Sequence, residues 1–213
     1  ALGAAPTHGA NATRRAVDPG VLGDQRTGWL GSLRALRWTA AFLDPLAMSS
    51  ELAAFRLGDV RGVYPTDIDE LFARGFAHAF VERFALSGAV AVGRDMRESS
   101  STLQAALIEG FRESGIDVVD LGFCTTELGY FASTRGRFAA EVVVTASHNS
   151  APYNGFKCVL TDGRAVTFET GLNDVRRLML KGFRRDRACG SLVSEDLHPE
   201  YVAFLENHFD LGL

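Results

Sequence analysis

From Glu51 onward the apolar positions alternate between helical and extended patterns. Phe72, Phe76, Phe80 and Phe84 recur every four residues, which aligns them along one side of a helix over 67–86. Thr66, with Asp69 three residues on, predicts a capping box at its start. The four rings read as core rather than as a ligand cage. Residues 89–93 (AVAVG) predict a short apolar strand. The polar cluster Ser99–Ser101 opens a helix to Ser114 that Gly115 closes. Residues 116–122 (IDVVDLG) predict another strand and 125–135 another helix. The β-branched run 141–146 (EVVVTA) predicts a central strand, followed after a loop by a strand at 156–160 (FKCVL). Helices over 169–181 and 198–208 complete the chain. The alternation implies an α/β fold: a three-layer αβα arrangement around a mixed, mostly parallel sheet, with chemistry on the loops at the strand ends.

Residues 1–47 differ from this pattern. They contain no Lys, are rich in Ala, Gly and Arg, and show periodicity only over Trp29–Leu46, where Trp29, Leu33, Leu36 and Leu43 fall near one helical face. An Arg-rich, acid-poor segment fits a targeting peptide. Asp18, Asp24 and Asp44, and the lack of an apolar signal core, favour sequence upstream of a start at Met48 instead. The predicted organisation is an extension over 1–50, a domain over 51–195 and a helix over 196–213 leading towards a further domain.

Composition narrows the function classes. With 46% hydrophobic and 23% charged residues, the chain has the make-up of a globular domain, not of a disordered segment. A net charge of −4 supplies no basic field for a nucleic acid. No apolar run approaches the roughly 18–20 residues that span a bilayer. Cys124, Cys158 and Cys189 form no C-x-x-C pair and read as reduced thiols of a cytoplasmic protein.

The most informative stretch is residues 142–157 (VVVTASHNSAPYNGFK). A strongly apolar strand runs into Ser147, His148 and Asn149, then a Pro/Asn/Gly turn, then a second strand bearing Lys157. A serine at the carboxyl end of a central strand is held rigidly at the rim where α/β sheets bind ligands. An imidazole, a lysine brought back by the turn and open backbone N–H groups could together neutralise a phosphate. A plain polar hairpin, with Ser, His and Asn satisfying turn hydrogen bonds, fits the same residues. Neighbouring strand residues face opposite ways, so Ser147 and His148 do not suggest a hydrolase pair, and no G-x-S-x-G elbow is present.

Thr145-Ala-Ser-His-Asn-Ser150, followed by Tyr153-Asn-Gly-Phe-Lys157, resembles the active-serine signature of the α-D-phosphohexomutases. Asp59-Val-Arg-Gly62 resembles that family's opening Asp-Ile-Arg-Gly segment, and Gly93-Arg-Asp95 with Arg97 resembles its Gly-Arg-Asp-x-Arg loop. Residues 120–128 and 170–178 are most similar to the bacterial phosphomannomutase branch that feeds GDP-mannose synthesis, with phosphoglucomutase as its close relation. The resemblance runs over residues 54–210, the first domain of the family.

The resemblance implies that Ser147 is a phosphoserine that exchanges its phosphoryl group with hexose 1- and 6-phosphates, most simply mannose 6-phosphate and mannose 1-phosphate. Hexose 1,6-bisphosphate would be intermediate and activator. Arg61 and Lys157 would stabilise charge beside the phosphate and assist proton transfer, and His148 would orient the loop or help move protons. Asn149, Tyr153 and Asn154 would contact substrate. Mg²⁺ would sit on the Ser147 phosphate and on aspartates of a later domain. Arg94, Asp95 and Arg97 read as polar links within the fold. Ser150 stands where the family usually has proline, and Gly58 where many members have tyrosine. The metal, sugar-reading and phosphate-binding loops of domains two to four are not in this sequence. The expected partners are therefore a hexose phosphate and those domains, in cis or in trans. The competing expectation is a non-catalytic remnant that keeps the fold and binds a phosphate or a protein.

Overall fold

The computed structural model describes residues 53–181 and 188–209, so the expectations for residues 1–47 lie outside the described residues. Strand β1 (Val60–Val63) is followed by α1 (Glu70–Phe84), β2 (Ala89–Arg94), α2 (Ser100–Glu113), β3 (Asp117–Phe123), α3 (Thr126–Ser133), β4 (Ala140–Val144) and β5 (Tyr153–Leu160). A π-helical turn at Phe168–Leu172 leads into α4 (Asn173–Met179), and β6 (Leu192–Ser194) and α5 (His198–His208) follow.

The six strands form one sheet in the order β1-β5-β4-β2-β3-β6. β4, β2, β3 and β6 run parallel, while β5 is antiparallel to β4 and β1 antiparallel to β5. Period-two alternation divides the core. Val90, Val92, Val142 and Val144 face one cluster with the helices α1, α2 and α4. Ala91, Val119, Leu121 and Val143 face a second with α3 and, through Tyr201 and Phe204, α5. The result is the three-layer αβα architecture expected from the alternation.

The phenylalanine stripe of α1 fills the larger cluster. Phe76 is fully buried, with its ring 5.5 Å from that of Phe80 and 5.0 Å from that of Phe156 on β5. The start of α1 differs from the sequence expectation. Asp69 is the N-cap and accepts from the Phe72 N–H at 2.8 Å, while Thr66 lies in the preceding turn. A carboxylate against the positive end of the helix is the stronger cap. The helix expected over 169–181 is split, with Thr167 and Thr170 forming a capping box before the π turn. Neither β1 nor β6 stood out in the sequence, since each is short and takes its identity from its sheet partner.

β1 approaches β5 closely because Gly155 faces it. A Cβ there would lie 1.9 Å from the Val60 carbonyl oxygen. This contact places the Asp59–Gly62 segment beside the loop after β4.

Candidate active site

Ser147 lies just past the end of β4, at the carboxyl rim shared by the parallel strands β2, β3 and β4. Thr145 and Ala146 are still buried, whereas Ser147 and His148 are exposed. The Thr145 hydroxyl accepts the Ser147 N–H at 2.9 Å, which turns the chain sharply as it leaves the strand. Ser147 takes φ 56°, the left-handed region. That conformation costs a residue with a side chain about 1–2 kcal/mol, and such strain collects at functional sites. Ser147 Oγ is 3.3 Å from His148 Nδ1.

Sheet register carries the cationic residues to the same rim. Arg61 pairs with Gly155 across β1 and β5, and the Gly155 carbonyl accepts from the Thr145 N–H at 2.9 Å. Arg61, Gly155 and Thr145 thus form one row across three chain segments. Lys157 pairs with Val143 two residues along. The buried Asp59 carboxylate joins the two cations. Its Oδ2 accepts from Arg61 Nη2 and lies 3.6 Å from Lys157 Nζ. Arg61 Nη1 also donates to Asn149 Oδ1 at 2.8 Å, which ties the first strand to the serine loop. Arg61 Nε is buried with no hydrogen-bond partner among the described residues.

The loop is gripped from the opposite side by Arg97, two residues into the turn after Asp95. Its Nη1 donates to the carbonyls of Ser150 at 2.8 Å and Tyr153 at 3.0 Å. Its Nη2 donates to those of Ser147 at 2.9 Å and Asn149 at 2.6 Å. Asp95 accepts from Arg97 Nε at 3.1 Å and from the Ser100 hydroxyl at 2.5 Å. The reading of Asp95 and Arg97 as polar links within the fold describes this network. Arg94 donates to the Asp95 carbonyl at 3.4 Å and stacks on the exposed Phe123 ring, 4.0 Å from its centroid.

The residues named from the sequence therefore separate into groups. Ser147, His148, Asn149, Arg61 and Lys157 are linked at one rim. Tyr153 is half-buried at the start of β5 and joins the network through its carbonyl. The side chain of Asn154 is enclosed: its amide donates to the hydroxyls of Ser99 at 2.8 Å and Ser100 at 2.9 Å, and its oxygen accepts from Gly155 N–H. It fastens β5 to the start of α2. An ion pair between Arg61 and the acid two residues before it was readable in the sequence, but not that Lys157 shares Asp59, nor that Thr145 is the acceptor that shapes the turn.

A cleft of about 600 Å³ opens beside Ser147, with Met96, Phe123, Cys124, Glu127 and His198 among its walls. Burial, the largest cause, pushes the Cys124 thiol up. Among the described residues no group of three His, Cys, Asp or Glu side chains is placed to hold a metal ion. An exposed hydroxyl on a strained, clamped turn, in a loop tied through Asn149 to Arg61, suits the carriage of a phosphate ester.

Comparison with known proteins bears on the fold and the family. Residues 53–182 match the family described as phosphoglucomutase/phosphomannomutase, alpha/beta/alpha domain I. A protein of Xanthomonas campestris named phosphohexose mutases is 41% identical over 125 residues, 59% of this chain and 28% of that one. An Escherichia coli phosphomannomutase is 36% identical over 170 residues, 76% of this chain and 36% of its own. The crystal structure of a phosphoglucomutase/phosphomannomutase family protein from Burkholderia thailandensis superposes with a TM-score of 0.67 at 32% identity, over 73% of this chain and 36% of that one. The chain thus spans between 28% and 36% of the length of these relatives. Fold and sequence agree that the chain belongs to the phosphoglucomutase/phosphomannomutase family and contains its α/β/α domain I.

Proposed function

We propose that this chain carries the phosphoryl-transferring serine of a hexose-phosphate mutase, acting on mannose 6-phosphate and mannose 1-phosphate together with the remaining domains. The observation that carries the reading is Ser147 itself, an exposed hydroxyl in a left-handed backbone conformation. Its loop is tied to Arg61 through Asn149, and Arg61 shares Asp59 with Lys157.

In the proposed cycle the phosphoryl group leaves Ser147 Oγ for a free hydroxyl of the hexose monophosphate, whose proton is given up as the new P–O bond forms. The resulting hexose 1,6-bisphosphate returns its other phosphoryl group to Ser147 Oγ, leaving the isomeric monophosphate. Phosphoserine carries about −1.5 to −2 charges near neutral pH. Arg61 and Lys157 offset that charge, and His148 holds or moves the proton at Oγ. Mg²⁺, the chemistry of such transfers, would neutralise phosphoryl oxygens. Among the described residues the Ser147 phosphate would hold it, while Asp59 and Asp95 are already committed to arginine and lysine partners. The unpaired cysteines fit a cytoplasmic setting.

The test combines the chain with a polypeptide supplying the rest of a phosphomannomutase and adds hexose 1,6-bisphosphate. Mass spectrometry is expected to find one phosphate, on Ser147. Phosphate on another residue, or none, overturns the reading.

A further inference from the structure

We infer that Arg97 is a positioning residue for phosphoryl transfer, acting as the clamp that holds Ser147 in its strained backbone conformation; the inference rests on the proposed role of Ser147. One guanidinium collects the carbonyls of Ser147, Asn149, Ser150 and Tyr153, all between 2.6 and 3.0 Å. These residues span the entire reversal from the end of β4 to the start of β5. A carbonyl-lined concavity filled by a planar five-donor fork is a template for one backbone shape. The fork is itself immobilised: Asp95 accepts from both Arg97 Nε and the Arg97 backbone N–H. Asp95 also binds Ser100, which receives the Asn154 amide. The clamp is thereby anchored to α2 and β5.

The energetic need for it is local. Ser147 is not a glycine, yet sits at φ 56°. Ser150 occupies the loop without the restriction that a proline would bring. Of the side chains that grip this reversal, Thr145 fixes one N–H and Arg61 reaches one side-chain oxygen, whereas Arg97 fixes four carbonyls. Transfer to or from Oγ requires in-line placement, and a misplacement of about 1 Å costs on the order of 100-fold in rate. Among the described residues Arg97 donates to carbonyls and to Asp95 and to no hydroxyl, so its effect passes through the loop.

The test uses the full chain as wild type, Arg97→Met, Arg97→Lys and the exposed control Arg164→Met, each combined with the complementing polypeptide. Two quantities are read: the rate of Ser147 phosphorylation against hexose 1,6-bisphosphate concentration, and amide hydrogen exchange. In Arg97→Met the maximal rate is expected to fall about 100-fold with little change in half-saturating concentration. Amides within 147–153 should exchange at least about 10-fold faster, while those of β2 and β4 stay protected, showing that the variant folds. Arg97→Lys should recover only a minor part, because a lysine restores charge but not the fork. Wild-type rates in Arg97→Met, or full recovery in Arg97→Lys, overturn the proposal. If wild type takes up no phosphate, the reading of Ser147 fails and with it the positioning of Ser147 for transfer by Arg97. Unchanged exchange in Arg97→Met then removes the clamp as well.

Discussion

Lys157 Nζ lies 3.6 Å from Asp59 Oδ2, the oxygen that Arg61 also binds. One buried carboxylate thus joins two cations from different strands, of which Arg61 reaches the serine loop through Asn149. Asp59→Asn removes the charge that both answer to and leaves them to repel each other. The expected result is a loss of about 1–3 kcal/mol in stability, read by urea denaturation, together with slower phosphate uptake at Ser147. An unchanged unfolding midpoint would show that Asp59 does not organise the pair.

The backbone strain at Ser147 makes a prediction of opposite sign. Ser147→Gly removes the side chain that makes φ 56° costly, although glycine gains freedom when unfolded. The variant should be more stable than wild type by about 0.5–1 kcal/mol and should accept no phosphate. A thermal melt paired with mass spectrometry reads both effects. Destabilisation would mean that the left-handed turn is held without strain.

Glu141 is enclosed in the centre of the sheet on β4, and its Oε1 has no hydrogen-bond partner among the described residues. Burial pushes its carboxyl well above the ordinary glutamate value of 4.5. The folded chain therefore holds a proton that the unfolded chain releases. Its contribution to stability is fully present below pH 4.5 and is lost as pH rises through the folded-state pKa. Glu141→Gln should flatten this dependence, so that the variant gains on wild type with rising pH. Glu141→Leu should add about 1–3 kcal/mol at neutral pH by removing an unsatisfied buried group. Chemical denaturation from pH 4 to 8 checks both; parallel curves for wild type and Glu141→Gln would refute the assignment.

Phe76 is fully buried and bridges the α1 stripe to Phe55 and to Phe156 on β5. Phe76→Ala should cost about 3–5 kcal/mol, through lost burial and the cavity left behind. Calorimetry should show a correspondingly lower melting temperature, and a loss below about 1 kcal/mol would mean that the site collapses around the gap.

Asp69 caps α1 in place of the expected Thr66. Asp69→Ala should cost about 1 kcal/mol, whereas Thr66→Ala, in the exposed turn, should leave the unfolding midpoint within about 0.5 kcal/mol of wild type. Equal losses in the two variants would return the cap to Thr66.

By itself the sequence determined whatever depends on neighbours a few positions apart. The four-residue phenylalanine spacing, the apolar run ending at Ser147 and the turn before Lys157 are each contained in a short window, and periodicity and turn chemistry act over that range. The tertiary structure decided whatever depends on which distant segment arrives alongside. Arg97 meets Ser147, 50 positions away, only because β2 and β4 are parallel neighbours with their carboxyl ends at one rim. Asp59 meets Lys157 only because β1 closes against β5 over Gly155. Asn154, polar and close to the serine loop in sequence, is drawn inside by two serines of another element. Strand order and register set these meetings, through backbone hydrogen bonds between segments that carry no mark of their partner.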